Sequence, residues 1–195
     1  MTGQITRLDY YVGDELQQLY GKETDAAKQK KLNEESMDYF KKALQIYPPY
    51  TLALIDMGVA NLQAKQTDSA ENFLKKALAL DDNQVNALNN LATIYVRSNR
   101  VSQALPLYKK VVALSPNFAE AYFNIGICYI RIPQYDSAIV YFNKTLDLNP
   151  SYPKVYEVLA ISYNMMGNKD LAQKNEALAK HYNPDFKLKA NVYIR

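Results

Sequence analysis

The sequence predicts an all-α solenoid of about five helical hairpins, and three observations carry that prediction. The 195-residue chain has only 6 Gly and no Trp and is rich in helix formers. Small and bulky residues recur at a spacing of 34. Prolines recur at the same spacing, where each unit's second helix has to stop.

Composition sets the outer limits. Hydrophobic residues at 48% and charged residues at 22% are ordinary for a globular protein and exclude wholesale disorder. With 23 Lys plus Arg against 20 Asp plus Glu, the chain is too balanced for a nucleic-acid footprint, so no nucleic-acid partner is expected. The lone Cys128 has no partner for an internal disulfide, and the lone His181 leaves no histidine metal cluster; no metal or cofactor is expected. No apolar run reaches bilayer-spanning length, so this segment should not insert into a membrane. The opening MTGQITRLDYYVGDE has neither a long apolar stretch nor a small-residue cleavage site, so it does not read as a signal peptide.

The columns are consistent. Gly58, Ala92, Gly126 and Ala160 form a small column, followed three residues later by Asn61, Tyr95, Tyr129 and Tyr163. Ala70, Ala104, Ala138 and Ala172 form a second small column, and Leu74, Tyr108 and Phe142 a bulky one. Pro116, Pro150 and Pro184 close the units, with Asp82 in place of the first. A small residue lets two helix axes approach, and bulky side chains a turn away fill the space beside it. The regular units are therefore 51–84, 85–118, 119–152 and 153–186, in a single solenoid over 1–186 with a short, partly ordered tail at 187–195.

Residues 6–50 hold a divergent first unit. Ser36, Phe40, Ala43 and Pro48 stand one period before Ala70, Leu74, Ala77 and Asp82, and Gly13 and Leu16 fit the small and aromatic positions. From Gly13 to Ser36 is 23 residues, against 12 from Gly58 to Ala70, so 11 are inserted. Eleven residues make about three helical turns, which lengthen a helix without rotating its buried face. An overlong second helix over about 25–47 is expected. At the other end Glu176 stands in the bulky column, which suits a polar last helix with no further repeat stacked on it. Pro106 falls inside a second helix and should kink it or delay its start.

This pattern resembles the tetratricopeptide repeat, with Leu54, Leu88, Tyr122 and Tyr156 where the family often has tryptophan. The resemblance implies a right-handed superhelix whose concave groove is lined by the first helix of each unit, at unit positions 2, 5, 6, 9, 12 and 13. It places Leu52, Ile55, Asp56, Val59 and Gln63 there, then Asn86, Asn89, Asn90, Thr93 and Arg97. Glu120, Phe123, Asn124, Ile127 and Arg131 follow, then Lys154, Glu157, Val158, Ile161 and Asn164. That explains why NALNNLATIY, at 86–95, mixes asparagines into an otherwise apolar helix. A carboxamide both donates and accepts, so Asn90 and Asn124, one repeat apart in one column, can hold peptide N–H and C=O groups. The expected site is Asn86, Asn89, Asn90, Arg97, Phe123, Asn124, Arg131 and Lys154, binding a protein or peptide partner without catalysis.

The family's carboxylate clamp for chaperone tails is not expected. Only Asn124 and Lys154 match its pattern, and a single lysine lacks the forked pairing such a site needs. The stretch from VGDELQQLYGKETD through the repeats to YNPDFKL is also similar to the C-terminal region of bacterial membrane glycosyltransferase-like proteins. That resemblance implies an extracytoplasmic, acceptor-recruiting domain of a larger enzyme; a complete chain would instead be expected in the cytoplasm. Self-association through the first-unit helix or the convex face is the third reading. Cys128 and the tyrosines at 95, 129 and 163 are read as packing, His181 as a helix-end cation, and KQKK at 28–31 as a solvated face. NKT at 143–145 has the glycosylation pattern only.

Overall fold

The computed structural model describes residues 2–188. Among them are ten α-helices: α1 Thr2–Lys22, α2 Ala26–Ile46, α3 Thr51–Gln63, α4 Thr67–Leu80, α5 Val85–Arg97, α6 Val101–Leu114, α7 Ala119–Arg131, α8 Tyr135–Leu148, α9 Pro153–Met165 and α10 Lys169–Tyr182. The chain divides into two compact units, Met1–Ile94 and Tyr95–Arg195. From 189 on, the expected tail lies outside the described residues.

In the first unit α1 pairs with α2 and α3 with α4, and α3 also packs on α2 and α1. Tyr10, Phe40, Ala43, Ala53 and Met57 form its core cluster. In the second unit α7 pairs with α8 and α9 with α10, around Phe123, Ile130, Phe142, Val155, Val158 and Leu159.

The small column works as the spacing requires. A Cβ on Gly58 would lie 2.7 Å from Leu74 Cγ, and a Cβ on Gly126 would overlap the Phe142 ring. Gly13 stands in the same relation to Phe40, at 2.6 Å, which places it in the column despite the insertion. The bulky residue therefore fills the space over the glycine of its own hairpin, and Leu74, Tyr108, Phe142 and Phe40 are all fully buried. Burying each such side chain is worth roughly 1.5–3 kcal/mol.

The insertion is divided differently from the expectation. The second helix, Ala26–Ile46, is as long as predicted, but α1 is lengthened too. Relative to α3 and α4, α1 runs four residues further past its glycine and α2 starts seven residues earlier before Phe40. Four and seven are each close to a whole number of turns, so both helices keep their buried faces. The hairpin turn stays at three residues in both cases. Asp25 caps α2 by accepting from the Lys28 N–H at 2.8 Å, and Glu23 Oε1 accepts from the N–H groups of Thr24 and Asp25.

The turns within the hairpins share one geometry that was not read from the sequence. At 34-residue intervals, Gln66, Arg100, Gln134 and Asn168 donate their N–H to Asn61, Tyr95, Tyr129 and Tyr163 at 2.7–2.9 Å. The residue before each donor has positive φ: Lys65 at 59°, Asn99 at 57°, Pro133 at 21° and Gly167 at 77°. This is the Schellman closure, in which the left-handed residue also donates to the second-last helical carbonyl. Lys65, Asn99 and Gly167 do so, to Leu62, Val96 and Asn164. Pro133 has no N–H to give, and its ring disfavours positive φ, so this turn is strained.

Pro106 is accommodated without a late start, since α6 begins at Val101. Pro106 and Ser102 are both exposed, so the carbonyl left without a helical donor faces water. At α10, Glu176 is half-buried and pairs with Lys180 at 2.8 Å, and only Ala172, Asn175 and Ala179 of the helix are buried.

Two stability predictions result. Pro133→Asn restores a turn residue that tolerates left-handed backbone and has an N–H. It should raise the chemical-denaturation stability by about 1–2 kcal/mol. Gly126→Val should cost several kcal/mol through overlap with Phe142, whereas Gly21→Ala, with nothing within 4 Å of the new methyl, should gain roughly 0.5–1 kcal/mol. Equal melting temperatures for Gly126→Val and wild type would contradict the close-approach role.

Candidate peptide-binding surface

The first helix of each regular hairpin carries two faces at helical spacing. In α5, Ala87, Leu88, Leu91, Ala92 and Ile94 are buried, while Asn86, Asn90 and Thr93 form a separate stripe at steps of four and three. Asn86 is exposed, and Asn89 and Asn90 are half-buried. The asparagines therefore border the core without entering it. Asn89 Oδ1 is enclosed without a hydrogen-bond donor.

On α3 the same stripe runs Leu52, Asp56, Val59 and Gln63. Leu52 is exposed, Ile55 beside it is buried, and Asp56 and Val59 are half-buried. Asp56 accepts from the Tyr10 hydroxyl and lies near Asp14. Burial pushes the Asp56 carboxyl up to about 6; the Tyr10 bond opposes this, and the negative charge of Asp14 adds to it. The Tyr10 phenol is also raised, chiefly by burial and then by the Asp56 charge. A half-buried carboxylate here favours a cationic or donor-bearing group.

In the second unit, α7 presents Glu120, Asn124 and Arg131, while Ile127 at the same spacing is buried in the core. Glu120 is exposed, Asn124 is half-buried, and Arg131 is half-buried with its Nε–H enclosed and unpartnered. On α9, Lys154 and Asn164 are exposed, and Glu157 accepts from Asn183 Nδ2 at 3.0 Å. Arg97, at the end of α5, is exposed.

Six residues depart from the sequence expectation, Ile55 and Ile127 among them, both buried. Phe123 is buried, not presented, with ring centroids 5.1 Å from Tyr152 and 5.7 Å from Phe142. An aromatic at unit position 5 is drawn between its own hairpin and the next, where it buries more area than a groove offers. Val158 and Ile161 are fully buried for the same reason. Gln63 remains polar and half-buried but lines a cavity with residues of α2 and α4.

The secondary candidates stand as packing or solvated residues. Cys128 is buried, which pushes its thiol up to about 12. Exposed His181 lies edge-on to Tyr182, near the end of α10. Lys30 and Lys31 pair with Glu34 and Glu35 one turn on. Thr145 of the NKT motif is buried in α8 with its hydroxyl on the Tyr141 carbonyl, so the motif is part of a packed helix. Among the described residues no group of three His, Cys, Asp or Glu could hold a metal, and no helix is long and apolar enough to cross a membrane.

Comparison with known proteins points the same way as the geometry. Two tetratricopeptide repeat models match, one over residues 89–153 and the other over 29–93 and 61–105. No curated protein sequence matches. Solved structures do. MamA 41-end from Desulfovibrio magneticus RS-1 superposes with a TM-score of 0.81 at 20% identity, over 94% of this chain and 98% of that one. A second MamA crystal structure gives 0.77 at 22% identity, over 96% and 99%. YrrB, described as a TPR protein with an unusual peptide-binding site, gives 0.71 at 22% identity, over 80% of each chain. At these identities the likeness establishes the all-α repeat fold.

The Asp56 environment has a pH consequence. The carboxyl's folded value of about 6 lies above its ordinary value of 3.8, so between the two the folded chain keeps a proton that the unfolded chain has lost. Stability should therefore fall as pH rises from about 4 to 6 and stay reduced above that window. Asp56→Asn still accepts from Tyr10 and should stabilise by about 2 kcal/mol at pH 7.5 and by nothing near pH 3.5. Urea melts at the two pH values check this, and an equal effect at both would contradict it.

Proposed function

The chain belongs to the tetratricopeptide repeat family, and on that premise we propose that it is a non-catalytic interaction protein whose inner-helix stripes hold an extended peptide or partner segment. The carrying observation is the set of half-buried carboxamides on those stripes, Asn89 and Asn90 on α5 and Asn124 on α7. Each borders buried apolar residues of its own helix, so its backbone position is rigid while its side chain stays half-buried at the edge of the core. An amide held this way pairs with a peptide N–H and C=O at little cost in conformational entropy.

The enclosed, unpartnered atoms support this reading. Asn89 Oδ1 lacks a donor, and rotation about its last side-chain torsion brings that oxygen to the surface, where a peptide N–H can meet it. Arg131 Nε lacks an acceptor, which a peptide carbonyl or acidic side chain supplies. Arg97, Arg131 and Lys154 give the second unit's surface a cationic component, with Glu120 beside them, so the favoured ligand has mixed charge with an acidic excess. Asn86 is an exposed rim contact, and Phe123 supports α7 from within. The peptide-binding site of YrrB is a parallel on the same fold. The non-catalytic reading rests on the chemistry of the candidate residues. The single thiol is buried and poorly ionised, and the single imidazole sits at an exposed helix end.

The test uses peptides selected from a displayed random library by the wild-type protein. Asn90→Ala and Asn124→Ala should each weaken the selected peptides about tenfold, which is roughly 1.4 kcal/mol. The melting temperature should hardly change, because neither side chain is in the core. Unchanged affinity in both variants would contradict the carboxamide grip.

A further inference from the structure

Unit positions 3, 7 and 10 of the inner helices form a column that the preceding hairpin covers. Ala53, Met57 and Ala60 on α3, Ala87, Leu91 and Ile94 on α5, Ala121, Ile125 and Cys128 on α7, and Val155, Leu159 and Ser162 on α9 are all buried. For α3 the cover is visible in the cluster that joins Ala53 and Met57 to Tyr10, Phe40 and Ala43. Counting back from Gly13, the same column on α1 is Leu8, Val12 and Glu15, extended by Ile5 and Leu19 at helical spacing. Here Leu8 is 65% exposed, Ile5 53% and Leu19 46%. A terminal helix of a repeat array ordinarily turns a polar face outward; α1 turns out leucine and isoleucine with one carboxylate among them.

The lengthened first hairpin creates a second feature on the same unit. α2 packs on α1 and α3 but not on α4, and a trough runs between α2 and α4. One end is a cavity of about 1320 Å³ floored by Met37, Met57 and Phe73. The other is a cleft of about 490 Å³ formed by Leu44, Pro48, Pro49, Leu54 and Leu80, and Phe73 belongs to both. Along α2 the lining residues Lys30, Asn33, Met37, Lys41, Leu44 and Pro48 follow one another at steps of three and four, so the trough follows the helix for roughly 25 Å. That length accommodates a helix of the span from Ile5 to Leu19, roughly 21 Å. The enclosed Gln63 Oε1, on the trough wall, has no donor.

The charges agree in sign. In the trough Lys30 and Lys41 are met by Glu34 and Asp38. Among the described residues Lys65 and Lys76 have no carboxylate within ion-pair distance, and Lys76 lies over the Phe73 ring at 5.6 Å where the two cavities join. The larger cavity mixes Met37, Met57 and Phe73 with charged residues of both signs, the smaller is mainly apolar, and Lys76 stands where they join; the α1 stripe is apolar at Ile5, Leu8 and Val12, acidic at Glu15, and apolar again at Leu19. We propose that the outer face of α1 docks in the α2–α4 trough of a second copy of this chain, with Glu15 against Lys76. This contact uses none of Asn86, Asn89, Asn90, Asn124, Arg97, Arg131 or Lys154, and it stands or falls separately from the peptide-binding reading.

Sedimentation velocity of the full chain across a hundredfold concentration range tests it, with circular dichroism to confirm folding. The wild type should rise from 22.3 kDa toward twice that mass or beyond. Leu8→Glu, on an exposed position, should hold the chain at the monomer mass. Glu15→Lys and Lys76→Glu should each weaken association about tenfold or more, and the double variant should recover it, because every copy carries both surfaces. A wild-type chain that stays monomeric overturns the proposal. Association that is lost with Leu8→Glu but indifferent to Lys76→Glu overturns the trough as its seat and indicates α1 paired with itself. A double variant no better than the singles overturns the Glu15–Lys76 contact.

Discussion

The close approach of two helices over a residue with little or no side chain is the constraint on which the rest of this structure depends. Phe40, Leu74 and Phe142 each occupy the space a Cβ would need on Gly13, Gly58 and Gly126. That contact fixes the separation and rotation of the two helices in a hairpin. With the rotation fixed, one face of the inner helix meets its partner, the next meets the neighbouring hairpin, and the remainder is left for solvent or ligand. The binding stripe is thus what packing leaves over. This is why it carries asparagine, arginine and lysine on helices whose other residues are mostly apolar or aromatic.

The same constraint explains how the divergent hairpin tolerates eleven additional residues. The contact of Gly13 with Phe40 is preserved because the additional length lies entirely on the turn side of it, divided between the two helices in near-whole turns. An insertion that rotated either helix would have carried Phe40 or Tyr10 out of the core. The visible consequence lies elsewhere, in a second helix that outruns its neighbour and leaves the trough beside α4.

Much of the hairpin architecture was legible because its information is local and periodic. The columns at Gly58, Ala70, Leu74 and their equivalents placed every regular helix, and the residue count alone identified 25–47 as one long helix against the observed Ala26–Ile46. The division of the insertion was not legible, since a count cannot say which side of a turn lengthens. Pro133 was missed for another reason. The left-handed turn position is occupied by Lys, Asn, Pro and Gly in the four units, so no residue type marks it, although its spacing matches the other columns. At the site, the asparagines of α5 and α7 were legible because carboxamides at the border of a buried stripe conflict with the apolar pattern around them. Phe123 was not, because an aromatic satisfies a groove position and a core position equally well until its neighbours Phe142 and Tyr152 are placed.

The two ends of the repeat run differ in a way that bears on how such a chain meets its partners. In α10 the column that holds Leu74, Tyr108 and Phe142 in the preceding units carries Glu176, half-buried and paired with Lys180. At α1 the equivalent stacking column is apolar and uncovered. Had both ends been apolar, copies could add end to end without limit, since each addition would expose a fresh face of the same kind. The charged Glu176–Lys180 pair at the last helix disfavours that route, and a seat for α1 is better sought on another surface. Within the first unit, the surface of matching length, with Lys76 at the join of its two cavities, is the trough that the lengthened hairpin itself creates. One insertion would then account for both the long helix and the seat that receives its neighbour.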